Sequence, residues 1–198
     1  MYLAKLAVDP RHPSIRQALR DRQDMHRNLA AAYGTGFLYR LSEQKASPAV
    51  LVLSQSTSDE GQLASRGYHL DGIRDLSPLP GLYRESAVLR FDLMAAPSKK
   101  ANEERGGNSR RVYLADPAQR TAWLEKQGQK YGFEVLEVHE PEAERTISVG
   151  RKTGAFLLTG VVFAGVLRIT DADVFWAAWA KGIGPEKAYG MGLMLLSR

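Results

Sequence analysis

The sequence predicts an α+β protein made of two β-α-β-β-α-β units in tandem, and three observations predict it. Its 198 residues, 44% of them hydrophobic, can bury one substantial core or two compact units of roughly 100 residues each. A period-two apolar stretch, a longer helical stretch and further period-two stretches follow one another in both halves. Between the halves, over residues 59–83, Gly61, Gly67, Gly72, Pro78, Pro80 and Gly81 break every period, which marks a linker. The expected division is residues 1–84 and 85–198.

Residues 2–8 alternate as a strand. Residues 13–33 read as a single helix: counted at helical pitch from Ile15, the side chains Ala18, Leu19, Met25, Leu29, Ala32 and Tyr33 share one face, and Gly34 ends the run. Residues 36–41 and 49–54 are two further strands, and a short helix fits around 60–66. The second half opens with a strand over 87–95 and a polar stretch over 98–111, after which strand character resumes at 112–115. Asp116-Pro117 starts a helix, with a capping carboxylate and a proline in the first turn, and the helix runs to about Tyr131 before Gly132. Residues 133–138, 146–149 and 155–169 supply strands. Thr170-Asp171 caps a last helix, 172–181, which leads through a glycine-rich loop into an apolar terminal strand at 193–196. This order is the ferredoxin-like arrangement, whose sheet face RNA-binding modules often use.

Composition narrows the chemistry. The formal charge of +5 is spread over both halves with no basic tail, which is compatible with a nucleic-acid partner but does not single one out. Without cysteine there is no disulfide, thiol nucleophile or thiolate metal site. The N-terminus, Met1-Tyr2-Leu3-Ala4-Lys5, is interrupted too soon for a leader, and no run nears the ~18 apolar residues of a membrane span. A cytoplasmic protein is therefore expected. Of its four histidines, His12, His69 and His139 fall in turns or at strand ends with no second ligand at metal spacing, so no metal or cofactor is expected.

Two features remain as candidate sites. In the loop 182–192, Gly182, Gly184, Gly190 and Gly192 surround Lys187, a composition that lets backbone N–H groups approach a phosphate. The spacing matches neither a P-loop, which needs Lys-Ser/Thr after its last glycine, nor a dinucleotide fingerprint, so a helix cap followed by a tight turn is the competing account. The second feature is His26. On the expected helix Arg16, Arg20, Gln23 and Arg27 cluster about 150° from the apolar face, and His26 falls between the two stripes. An imidazole held at a core edge beside guanidinium groups suits a phosphate-ester reaction; a half-buried packing histidine under a solvated basic face is the plainer alternative.

Tyr2-Leu3-Ala4-Lys5-Leu6, Met25-His26-Arg27, Thr121-Ala122-Trp123-Leu124, Val162-Phe163-Ala164-Gly165-Val166-Leu167 and the segment 182–196 together resemble the CasE family, the CRISPR repeat endoribonucleases of the type I-E system. The resemblance runs the length of the chain. It implies tandem ferredoxin-like domains and metal-independent cleavage of precursor repeat RNA at the 3′ base of its stem-loop. In that reaction the 2′-hydroxyl attacks the adjacent phosphate and leaves a 2′,3′-cyclic phosphate and a 5′-hydroxyl. It further implies that the processed guide RNA is retained and that the protein is a subunit of the Cascade interference complex. Carried onto this sequence, His26 is the proton-transfer catalyst, with Arg27 beside it.

The family often has a tyrosine three residues before the histidine; here that residue is Gln23, which can donate a hydrogen bond but cannot serve as a base. Tyr33, seven residues beyond His26, is either a substitute or a packing aromatic. By resemblance, the basic turn Val149-Gly150-Arg151-Lys152-Thr153-Gly154 belongs to a hairpin that enters the groove of the repeat stem. The polar stretch with Lys99, Lys100, Arg105, Arg110 and Arg111 is either a second RNA contact or a solvated loop. Two other functions stay open: a non-catalytic RNA-binding subunit, and a small-molecule protein that binds a nucleotide phosphate at the glycine loop.

Overall fold

In the computed structural model of the chain, residues 1–42, 48–101, 111–151 and 154–198 are described, Arg151 by its backbone alone. Lys152, Arg105 and Arg110, named above as RNA contacts, lie outside the described residues. The first unit runs β1 (Tyr2–Val8), α1 (Pro13–Arg20), α2 (Arg22–Tyr33), β2 (Leu38–Ser42), β3 (Ala49–Ser54), α3 (Glu60–Ala64) and β4 (Tyr68–Asp75). Its strands pair antiparallel in the order β2-β3-β1-β4. Alternation along β1 buries Ala4, Leu6 and Val8 against Ile15, Met25 and Leu29 of the helices, with Tyr39 and Tyr68 completing this core.

Two expectations are corrected here. Residues 13–33 form two helices, because Asp21 leaves helical geometry (φ −134°, ψ 115°). Its N–H closes α1 on the Gln17 carbonyl at 2.9 Å, and its carboxylate accepts the Gln23 N–H at 2.8 Å to open α2. An aspartate in a helical run finds a better partner at an N-cap than in the interior, and here that preference wins. The second correction is that 59–83 is more than a linker, since it contains β4, which pairs along the whole of β1. Most of β4 is exposed on both faces, so it carries no apolar alternation to read, and a register shift at Lys5/Leu6 breaks its pairing once.

The second unit follows a short helix α4 (Leu79–Leu82) and runs β5 (Val88–Ala95), β6 (Ser98–Lys100), β7 (Arg111–Tyr113), α5 (Pro117–Lys130), β8 (Phe133–His139), β9 (Arg145–Arg151), β10 (Gly154–Ile169), α6 (Ala172–Lys181), a 3₁₀ turn (Lys187–Tyr189) and β11 (Met194–Ser197). Strand order is β11-β5-β10-β8, again ferredoxin-like, while β6 and β7 form a separate pair. The far half of β10, Gly154 to Gly160, leaves the sheet and pairs only with β9, making a projecting hairpin. Asp116 caps α5 by accepting the Ala118 N–H at 3.0 Å, and Asp171 caps α6 by accepting that of Val174 at 3.0 Å. The core gathers Leu93, Leu124, Phe133, Phe163 and Phe175, with Trp123 stacked on Phe163 at 6.2 Å.

Gly165 of β10 sits where β8 presses closest, and a Cβ there would overlap the Glu137 carbonyl oxygen. The obstacle is backbone, which cannot rotate away. Gly165→Ala is expected to destabilise the protein by about 3 kcal/mol, the upper part of the range for overpacking, read from urea unfolding midpoints at unchanged slope. Among the described residues no helix is long and apolar enough to cross a membrane.

Candidate functional site

α2 is fixed at both ends, by the Asp21 cap and by Gly34, whose φ of 71° suits glycine. Met25, Leu29, Ala32 and Tyr33 face the core and leave His26 half-buried at the margin. The imidazole stacks on Phe37, ring centroids 5.2 Å apart and 23° between planes, with Tyr39 tilted behind at 6.4 Å. Nδ1 is enclosed and has no hydrogen-bond partner, so Nε2 is the nitrogen left for a substrate. Burial lowers the His26 pKa below its ordinary 6.5. The ring is therefore neutral at pH 7 and ready to accept a proton.

The break at Asp21 separates the predicted site residues. Arg16 and Arg20 are exposed on α1, whereas Gln23, His26 and Arg27 belong to α2. Gln23 lies in the first turn, half-buried and one turn before His26. Arg27 is 63% exposed and paired with Asp24 at 2.8 Å. Asp24 also accepts a 2.7 Å hydrogen bond from the Gln17 side chain, so it joins α1 to α2 and offsets part of Arg27's charge. Tyr33 is buried at the end of α2 with its ring 5.9 Å from that of Phe37, and burial raises its pKa. It occupies the packing position rather than that of a proton-transfer group.

Arg22, only 7% exposed, is a buried arginine that the sequence reading passed over, although, seven residues after Ile15, it shares the apolar face at helical pitch. With Arg40, Arg145 and Tyr189 it lines a narrow cleft between the two sheets, where Arg40 also pairs with Asp92 of β5. Phe37 is a second residue the sequence did not single out. Nothing local distinguishes it from any other strand-start aromatic; its importance comes from what α2 brings over it.

The glycine loop takes a different part from the expected anion grip. Gly182, Gly184, Gly190 and Gly192 all have φ between 83° and 87°, a region that costs other residues strain. Three of their amides are engaged inside the chain: Gly182 donates to Trp179 O at 3.2 Å, Gly190 to Lys187 O at 3.3 Å and Gly192 to Met94 O at 2.7 Å. The loop packs on the first unit instead. The Tyr39 hydroxyl, whose single proton is shared between Ala188 O and Arg22 O at 3.1 Å each, ties the loop to the ring behind His26. Lys187 is half-buried in the turn.

The projecting hairpin reaches the same helix from the other side. The Gly150 N–H donates to Asp21 Oδ1 at 2.9 Å, which sets β9 against the start of α2. Arg151 follows as the last residue of β9, at the turn. Among the described residues no three His, Cys, Asp or Glu side chains gather as a metal site.

A family model described as "CRISPR associated protein" matches residues 1–198. The chain is 28% identical to the CRISPR-associated endoribonuclease Cse3 of Thermus thermophilus, over 98% of both chains. It is similar to a solved structure of CRISPR endoribonuclease Cse3 bound to 19 nt RNA, with a TM-score of 0.87 and 27% identity over 100% of both chains. It is also similar to Thermus thermophilus Cse3 bound to an RNA representing a pre-cleavage complex, with a TM-score of 0.86 and 27% identity over 100% of this chain and 98% of that one.

Proposed function

Because the chain belongs to the family of CRISPR-associated proteins, as one of its CasE members, we propose that it is a metal-independent endoribonuclease that cleaves precursor CRISPR RNA at the 3′ base of the repeat stem-loop and retains the mature guide RNA. The observation that carries this reading is His26, a neutral, half-buried imidazole with one nitrogen available, on a helix whose N-cap carboxylate is hydrogen-bonded to the basic hairpin. Nε2 takes the proton of the ribose 2′-hydroxyl, and that oxygen attacks the adjacent phosphorus. The bond to the 5′-oxygen breaks, the upstream fragment ends in a 2′,3′-cyclic phosphate, and the departing oxygen takes a proton from water to become a 5′-hydroxyl, while the His26 imidazolium returns its proton to solvent. Gln23 and Arg27 stand within a turn of His26, where an amide and a guanidinium suit a phosphate oxygen.

In this reading residues 1–84 carry the catalytic histidine and residues 85–198 the basic hairpin. Arg16, Arg20, Arg151, Lys152 and Lys187 contact the RNA, while the four loop glycines shape the turn that presents Lys187. The protein works in the cytoplasm as a subunit of the type I-E interference complex.

The test is incubation with the host repeat hairpin in EDTA, with analysis of the fragment ends. A cyclic-phosphate end is expected; tight binding with both strands of evidence for a cut missing, no fragment and no new end, returns the protein to an RNA-holding role. The pH profile adds a check with a definite sign. Since burial lowers the His26 pKa, the base form persists below pH 6.5, and the acid limb of the single-turnover rate should have its midpoint below that value. A midpoint at or above 6.5 would exclude the buried imidazole as the base.

A further inference from the structure

Asp21 hydrogen-bonds both to the helix of His26 and to the hairpin. Its Oδ1 accepts two N–H groups, that of Gln23 at 2.8 Å in the first turn of α2 and that of Gly150 at 2.9 Å in β9, residues 129 positions away from it in the chain. β9 pairs with β10 on one side, and the Gly150 N–H points the other way, so the carboxylate occupies an edge position that a strand usually leaves to solvent. The fit leaves no spare room: a Cβ at Gly150 would collide with Asp21 Oδ2. The carboxylate stands five residues before His26 and one residue before Arg151 as counted through Gly150.

We propose that Asp21 is a positioning residue for cleavage, a latch that sets the register between the RNA-gripping hairpin and His26. The proposal rests on the nuclease reading above. If the hairpin holds the stem, its placement relative to α2 decides which phosphodiester lies at Nε2, and a misplacement of about 1 Å costs on the order of 10²-fold in rate. An N-cap alone would require only an acceptor for α2. The second hydrogen bond, and the glycine that makes room for it, tie that cap to the hairpin.

The experiment compares wild type, Asp21→Ser, Asp21→Asn and Gly150→Ala for hairpin-RNA affinity, single-turnover rate, position of the cut and Tm. Serine keeps an N-cap acceptor but is too short to reach Gly150, whereas asparagine retains an oxygen for both N–H groups. Asp21→Ser and Gly150→Ala are expected to cleave at least about tenfold more slowly, or at a displaced nucleotide, with affinity within about threefold of wild type, and Asp21→Asn to restore both rate and cut position. Wild-type rate and position in Asp21→Ser would overturn the latch, and so would losses of rate that follow affinity or Tm alone. A wild type that binds without cutting would overturn the nuclease reading, and the latch with it, whereas a cutting wild type confines any failure to the latch.

Discussion

His26→Ala is expected to lower single-turnover cleavage of the repeat hairpin by about 10²–10⁴-fold while affinity for the RNA stays within a few-fold. The size follows from what replaces the imidazole. Gln23 cannot accept a proton at neutral pH, Arg27 is a cation held by Asp24, and the Tyr33 phenol is buried and kept protonated. Water would then be the base. Affinity should be spared because the proposed function assigns the RNA contacts to the arginines of α1 and to the hairpin, and because His26 packs at the edge of the core rather than inside it. Gel-based cleavage and a binding isotherm on the same RNA separate the two effects. A mutant that loses both together would place His26 in the RNA grip; one that keeps its rate would make it a packing residue.

Arg120→Ala should have the largest effect on stability, about 3–5 kcal/mol, because it removes one partner of a buried ion pair. Arg120 is 4% exposed. Its guanidinium meets Glu140 through both Nε, at 2.8 Å, and Nη2, at 2.6 Å; Nη1 reaches Glu144 at 2.6 Å and the Ala115 carbonyl at 2.7 Å. These hydrogen bonds, Glu140's first, raise the Arg120 pKa above its ordinary value. Without the guanidinium, Glu144 turns to water at little cost, but the more enclosed Glu140 loses a bidentate partner and the Ala115 carbonyl its donor. Urea unfolding measures the loss. Arg120→Lys should recover only part of it, since an ammonium cannot reproduce the planar fork. A cost below about 1 kcal/mol would mean that the pair is as weak as a surface one.

Elements whose ends carry their own chemistry were legible in the sequence. Asp116-Pro117 and Asp171 start helices where expected, and the strands expected at residues 2–8 and 155–169 are present as β1 and β10. Where burial is weak or the partner is remote, the sequence is silent. β4 is a strand because β1 offers it an edge, not because its own residues alternate. Asp21 could have been recognised as a cap inside a helical pattern, and Arg22, which shares the apolar face with Ile15 at helical pitch, could have been read as a buried arginine. His26 stood out through its place between two stripes, yet the enclosure of Nδ1 and the Phe37 stack depend on residues ten or more positions away. The glycine loop showed the reverse limit: composition suggested a phosphate cradle, whereas the amides of Gly182, Gly190 and Gly192 are taken by the carbonyls of Trp179, Lys187 and Met94.

The 16-residue β10 belongs to two structures at once, anchored by its second half in the sheet and extended by its first. Gly160 lies at the changeover, covered by the ends of the Met191 and Met94 side chains. The projecting seven residues reach roughly 20 Å at strand rise. The arm is held at two places, in the sheet at its root and against the start of α2 through the Gly150 N–H. Under the proposed nuclease reading such an arm is a ruler, and its calibration resides in the length of a single strand and in the one carboxylate that meets it.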